Sequence, residues 1–117
     1  MLDINKAKDF VKNNNLTSAI TTSKIRKFLS AVNKINNKIN YQNNSDILSE
    51  DIVAEIAYMR VQFAYIVGKD NKNEGLKKLH KELDDAIANI NKNKNEFINF
   101  ARYVEAIIAY HKFFGGD

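Results

Sequence analysis

His80 and His111 are the only histidines in this chain, and neither has other ligand-type residues around it at metal-site spacing. Asp84 and Asp85 form a carboxylate pair by adjacency alone. Neighbours on a helix point about 100° apart and cannot share a proton, so the pair reads as an exposed charged face. No glycine-rich phosphate loop is present, and no serine sits in a nucleophile-elbow context. Cysteine is absent, which removes disulfides, thiolate metal sites and cysteine nucleophiles together. These residues predict no enzyme, no metal and no cofactor.

Anion binding is the chemistry the residues do support. Lys27, Lys34 and Lys38 fall opposite an apolar stripe at helical spacing, with Lys24 and Arg26 flanking them. Such a face can neutralise phosphates, each contact adding a salt-dependent, sequence-independent increment; it can equally be a solvated helix face. Tyr58, Tyr65, Tyr103 and Tyr110 could stack on unpaired bases. They share helices with core residues, however, and a phenol on a bundle wall usually packs. Arg60 and Arg102 each sit in a mostly apolar helix, where a charge is costly unless paired or facing an external anion. Glu105, one turn after Arg102, offers the paired alternative. His111 projects near an apolar stripe and reads as a partly buried, satisfied histidine rather than a ligand.

Charge and composition agree with that emphasis. The net charge is +4 and the sequence pI about 9.2. No acidic residue lies between Asp9 and Asp46, and from Asp51 onward acidic and basic residues balance, so the excess sits in the first half. A basic patch suggests an anionic partner. At 117 residues and 44% hydrophobic content the chain reads as one domain, 1–117, able to bury a core. The apolar run from Ile52 to Val67 is interrupted by Glu55, Arg60 and Gln62, so no membrane span is expected. With no cysteine and no signal-peptide pattern, a cytoplasmic location is the default. The 17 asparagines read as neutral surface residues and compositional background. Proline is absent and glycine numbers four, which suits a few long helices better than many strands.

The elements that must position these residues follow from periodicity. Asp3 to about Lys12 is a short amphipathic helix, and Leu16–Thr21 is a linker. Thr22 caps a helix running to about Ile39, with Ile25, Phe28, Leu29, Val32, Ile35 and Ile39 inward. Asn40–Asp46 is a polar loop. Ser49 caps a third helix with Glu50 and Asp51 in its first turn; it ends at Gly68 as the C′ residue and should be largely buried. A fourth helix covers about Glu74 to Asn91. The last opens on Asn93, with Glu96 placed for a capping box, and closes on Gly115-Gly116. It is apolar around most of its girth, with only Arg102, Glu105 and Lys112 plainly polar, so other helices must wrap it. The expected fold is all-α: one compact bundle of about five helices with the long C-terminal helix central.

Three phrases then become recognisable in order: ITTSKIRKFLSAVNKI (20–35), MRVQFAYIVGKD (59–70) and FINFARYVEAIIAYHKFFGG (97–116). Together they resemble the small subunit of type III-A CRISPR effector complexes, the Csm small-subunit family. The likeness covers 20–116, the aromatic-basic ending being its most specific part, while 1–19 is an N-terminal helix and linker without family signal. The resemblance implies a non-catalytic helical protein stacked in several copies along the backbone subunits, near the large subunit, beside guide RNA and target RNA. It would support antiviral, RNA-guided interference as part of a ribonucleoprotein. Residues matching the family's basic pattern are Lys24, Arg26, Lys27, Arg60, Lys69, Arg102, His111 and Lys112, with Lys34 and Lys38 extending the same face. Some of these would face RNA and others neighbouring subunits. The alternative is a free-standing helical adaptor with incidental basic charge; a nuclease ranks third, for want of a carboxylate cluster.

Overall fold

A computed structural model describes residues 3–40 and 46–116. Among these residues six helices follow one another: α1 (Lys6–Asn13), α2 (Leu16–Ala19), α3 (Thr22–Asn40), α4 (Glu50–Gly68), α5 (Glu74–Ala88) and α6 (Lys94–Phe113). The only extended pairing among the described residues is an antiparallel bridge between Ile47 and Asn93. The all-α bundle is as expected, and the C-terminal helix is its centre. α6 packs against α1, α2, α3 and α5, and buries Phe97, Phe100, Ala101, Tyr103, Val104, Ile107 and His111.

Caps explain most of the boundaries. The Ser49 hydroxyl accepts from the Ile52 amide at 3.3 Å, and the Asn93 side chain from the Glu96 amide at 3.0 Å, each satisfying one otherwise unpaired helix-start donor. The capping box is not reciprocal, because the Asn93 amide donates to the Ile90 carbonyl at 3.0 Å. Gly115 adopts φ +95°, and the Gly116 amide closes α6 onto the His111 carbonyl at 2.8 Å. A left-handed residue at this point frees the chain to turn back on the last carbonyls, and glycine does so cheaply.

Several expectations are corrected. Leu16–Thr21 is not a plain linker: Asn15 takes φ 50°, Leu16 is fully buried, and one helical turn forms between them and Ile20. The cap of α3 is Thr21, whose Oγ1 accepts from the Lys24 amide at 3.2 Å, rather than Thr22. α5 stops at Ala88 because Asn91 and Lys92 both take positive φ. Around that turn the Leu48 amide donates to the Lys92 carbonyl and the Lys94 amide to the Asp46 carbonyl, both at 2.8 Å. Gly68 is the last helical residue of α4, not a left-handed stop; Lys69 beyond it is still right-handed, with φ −70°. Most of the expected Asn40–Asp46 loop lies outside the described residues.

The largest correction concerns α4. Its inward stripe, Ile52, Ile56, Met59 and Phe63, is buried, but Tyr58, Val61 and Tyr65 are 61%, 60% and 67% exposed. The backbone of α4 comes close to α3 and α5 but not to the central helix. It lies at the edge of the bundle, with a second apolar face uncovered.

Ion pairs tie this edge helix down. Arg60 donates from Nε and Nη2 to the two carboxylate oxygens of Asp84 on α5, at 2.7 and 3.0 Å. Asp84 is therefore engaged rather than part of a merely solvated face, while Asp85 pairs with Lys81 at 2.9 Å. The hydrogen bond from Arg60 holds the Asp84 carboxyl below the usual carboxylate range, burial opposing it. A carboxylate whose pKa is lowered by folding stabilises above its unfolded value, near 3.9, and loses that contribution as pH falls through the folded value. The Asp84→Asn variant is accordingly expected to be less stable than wild type at pH 7 and to converge with it near pH 2. Thermal melts across that range test this, and parallel curves would exclude the pair as a pH-dependent tie.

Candidate nucleic-acid interface

Because α3 is amphipathic, burial of Ile25, Phe28, Val32, Ile35 and Ile39 turns its basic residues outward. α4 packs beside it through Phe28 and Phe63, whose ring centroids are 4.7 Å apart. Above that contact the two helices enclose an open groove of about 1300 Å³. One wall carries Lys24, Arg26, Lys27 and Lys34 from α3; the other carries Tyr58, Val61 and Tyr65 from α4, with Lys69 at the end. Five of the basic residues singled out from sequence thus converge on one feature, 46 residues of chain separating Lys24 from Asp70 across its mouth.

Their states differ. Arg26, Lys27 and Lys34 are exposed, and their side chains have no hydrogen bond or ion pair with any described residue. Lys24 is ion-paired with Asp70, the one acid lining the groove among the described residues. That contact, with a second from Asn73, holds the Asp70 carboxyl below its ordinary range. Asn73 also caps α5 through the Leu76 amide at 3.0 Å and donates to the Ala19 carbonyl at 2.7 Å. The end of the groove is thereby fixed to α2. Lys69 stands over the Tyr65 ring, 5.5 Å from its centroid, a cation–π arrangement that adds charge beside an exposed aromatic.

The other candidates lie elsewhere. Lys38 bonds Glu55 at 2.5 Å and borders a neighbouring hollow with Asp51 and Tyr58. Arg60 is committed to Asp84. Arg102 and Lys112 are on the exposed sector of α6, outside the groove lining, and Arg102 makes no ion pair with Glu105. His111 is 1% exposed, with its Nε2 2.6 Å from the Ile20 carbonyl oxygen. A carbonyl can only accept, so Nε2 is the donor. The imidazole has no surface to offer a phosphate; it is buried more deeply than expected and only half satisfied, since Nδ1 has no hydrogen-bond partner among the described residues. Among the tyrosines, Tyr103 is buried and donates to Glu82 at 2.9 Å; burial and that carboxylate push its phenol above the ordinary range. Tyr58 and Tyr65 are the two left open, against the expectation that they pack.

What such a groove can do chemically is attract an extended anion along one wall and offer apolar rings along the other. Among the described residues no three His, Asp or Glu side chains gather as a metal site requires, and no helix is long and apolar enough to cross a membrane.

Comparison with known proteins assigns the fold a family. The Csm2 type III-A family matches residues 3–117. The chain belongs to the Csm2 family. It is 30% identical over 129 aligned positions to the CRISPR system Cms protein Csm2 of Enterococcus italicus, covering 97% of this chain and 90% of that protein. It is 32% identical over 105 positions to the protein of the same name from Streptococcus thermophilus, covering 90% and 81% respectively. The small-subunit resemblance carried by 20–116 therefore holds, and the match extends into the N-terminal segment that carried no family signal. Membership in this structural small-subunit family supports a subunit of the type III-A CRISPR complex.

Proposed function

We propose that this protein is a non-catalytic small subunit of the type III-A CRISPR ribonucleoprotein, stacked in several copies beside the backbone and large subunits in the cytoplasm. Its α3–α4 groove lies against the phosphates of guide or target RNA. The observation that carries this reading is the wall of three unpaired cations, Arg26, Lys27 and Lys34. Unpaired lysines and arginines on one helix face need break no ion pair to meet a phosphate, whereas Lys24, Lys38 and Arg60 would first have to leave a carboxylate. Backbone contact without base-edge readout suits a subunit of a guide-directed complex, since pairing between guide and target supplies the sequence specificity.

Charge reversal tests it. Lys27→Glu with Lys34→Glu is expected to flatten the log–log salt dependence of single-stranded RNA binding by about 1.4, at ~0.7 per phosphate neutralised. Both residues face away from the buried stripe of α3, so the melting behaviour should change by less than about 0.5 kcal/mol. Filter binding from 50 to 300 mM salt, with about that range bracketing physiological screening, reads the slope. An unchanged slope and affinity would favour the free-standing adaptor instead.

A further inference from the structure

The uncovered face of α4 remains to be explained. Tyr58 and Tyr65 are seven residues apart, so they project from one side of the helix about 10 Å apart along its axis. Val61 lies between them, and all three are at least 60% exposed. The rings are not needed to hold α4 on α3, because Phe28 and Phe63 form that contact beneath them. Large apolar groups left in water in this way, on one wall of a groove whose other wall is cationic, mark a binding surface.

Resting on the RNA-contact reading above, we propose that Tyr58 and Tyr65 form a stacking platform for unpaired bases of an RNA strand held in the α3–α4 groove. Charge chooses the occupant. Among the described residues Arg26, Lys27 and Lys34 are unneutralised on the opposite wall, Lys69 stands at the Tyr65 ring, and the one lining acid, Asp70, is already consumed by Lys24. An aromatic wall facing a cationic one is what a single strand requires: phosphates on the charges, bases on the rings. A paired base has both faces inside its own stack, so only an unstacked one can lie on a phenol. The two side chains leave α4 about 10 Å apart along its axis, so a strand running along the groove can meet both rings while its phosphates turn to α3.

The test is a solution NMR titration of the full chain with 12-nucleotide oligouridylate and oligoadenylate, and with a 12-base-pair RNA duplex, at millimolar concentration and low salt. Ring signals are assigned through Tyr58→Phe and Tyr65→Phe. Single strands are expected to move both rings upfield and the duplex not to. Tyr58→Ala and Tyr65→Ala should each weaken single-strand binding about 5- to 140-fold with the salt slope retained, and the Phe variants should bind as wild type. Lysine and arginine signals that shift while both rings stay still, or Ala variants that bind normally, would overturn the platform and leave phosphate contact standing. No shift anywhere would overturn the RNA-contact reading itself. Rings that shift with protein concentration alone would show a second copy covering this face, and the platform would fall.

Discussion

Phe63→Ala is expected to cost about 3–5 kcal/mol of stability, with a fall in melting temperature on the order of 10–25 °C for a chain of this size. Phe63 is completely buried and its ring meets Phe28 at 4.7 Å in a tilted arrangement, which adds attraction beyond the area buried. Total stability for a chain of this length is roughly 6–18 kcal/mol, so one ring represents a large share of it. The loss should also reach function: the same contact sets the spacing of the two groove walls, and RNA affinity should fall with stability. Urea denaturation of the variant measures the effect, and a change below about 1 kcal/mol would mean that α4 is held chiefly by its ion pairs.

His111→Ala is the second large effect, about 2–4 kcal/mol. The substitution removes the donor to a buried carbonyl, Ile20 O, leaving that acceptor unsatisfied, and opens a void under the C-terminal cap. Gly116 sits directly over the imidazole; a Cβ there would come within 2.2–2.3 Å of ring atoms and 2.7 Å of the His111 carbonyl. The ring therefore joins three things at once: the end of α6, the glycine cap, and the Ile20 junction between α2 and α3. Lys112→Ala, one residue on and exposed, should change stability by no more than about 0.5 kcal/mol. The comparison also separates two roles for this position. An RNA-contacting histidine would leave the fold intact and weaken binding, whereas the bonded histidine destabilises the chain first. Thermal melts of both variants beside RNA binding at a temperature where each is folded would show which holds.

Much of the fold was legible because local signals and burial agree. Asn93 and Ser49 cap as their side chains allow, Gly115 takes the left-handed conformation, and of the stripe Phe97, Ala101, Val104 and Ile108 that helical spacing turns inward, all are buried but the half-buried Ile108. The short helix α2 was not legible, since four residues are too few to show a period and the turn depends on Asn15 at φ 50°. The end of α5 was missed for a similar reason: Asn91 and Lys92 turn under tertiary hydrogen bonds from Leu48 and Lys94.

The site divides along the same line. Sequence alone determined that the first half is basic and that Lys27 and Lys34 oppose an apolar stripe, because composition and the 3.6-residue period are properties of single segments. It also carried the family likeness. Only the tertiary structure decided which cations are free: Lys24, Lys38 and Arg60 meet carboxylates 17 to 46 residues distant, and no local pattern encodes such partners. It likewise decided that His111 is buried, and that Tyr58 and Tyr65 are open. A helix apolar on two sides asks for two neighbours, and whether the second exists depends on where every other helix lies; at the edge of this bundle it does not.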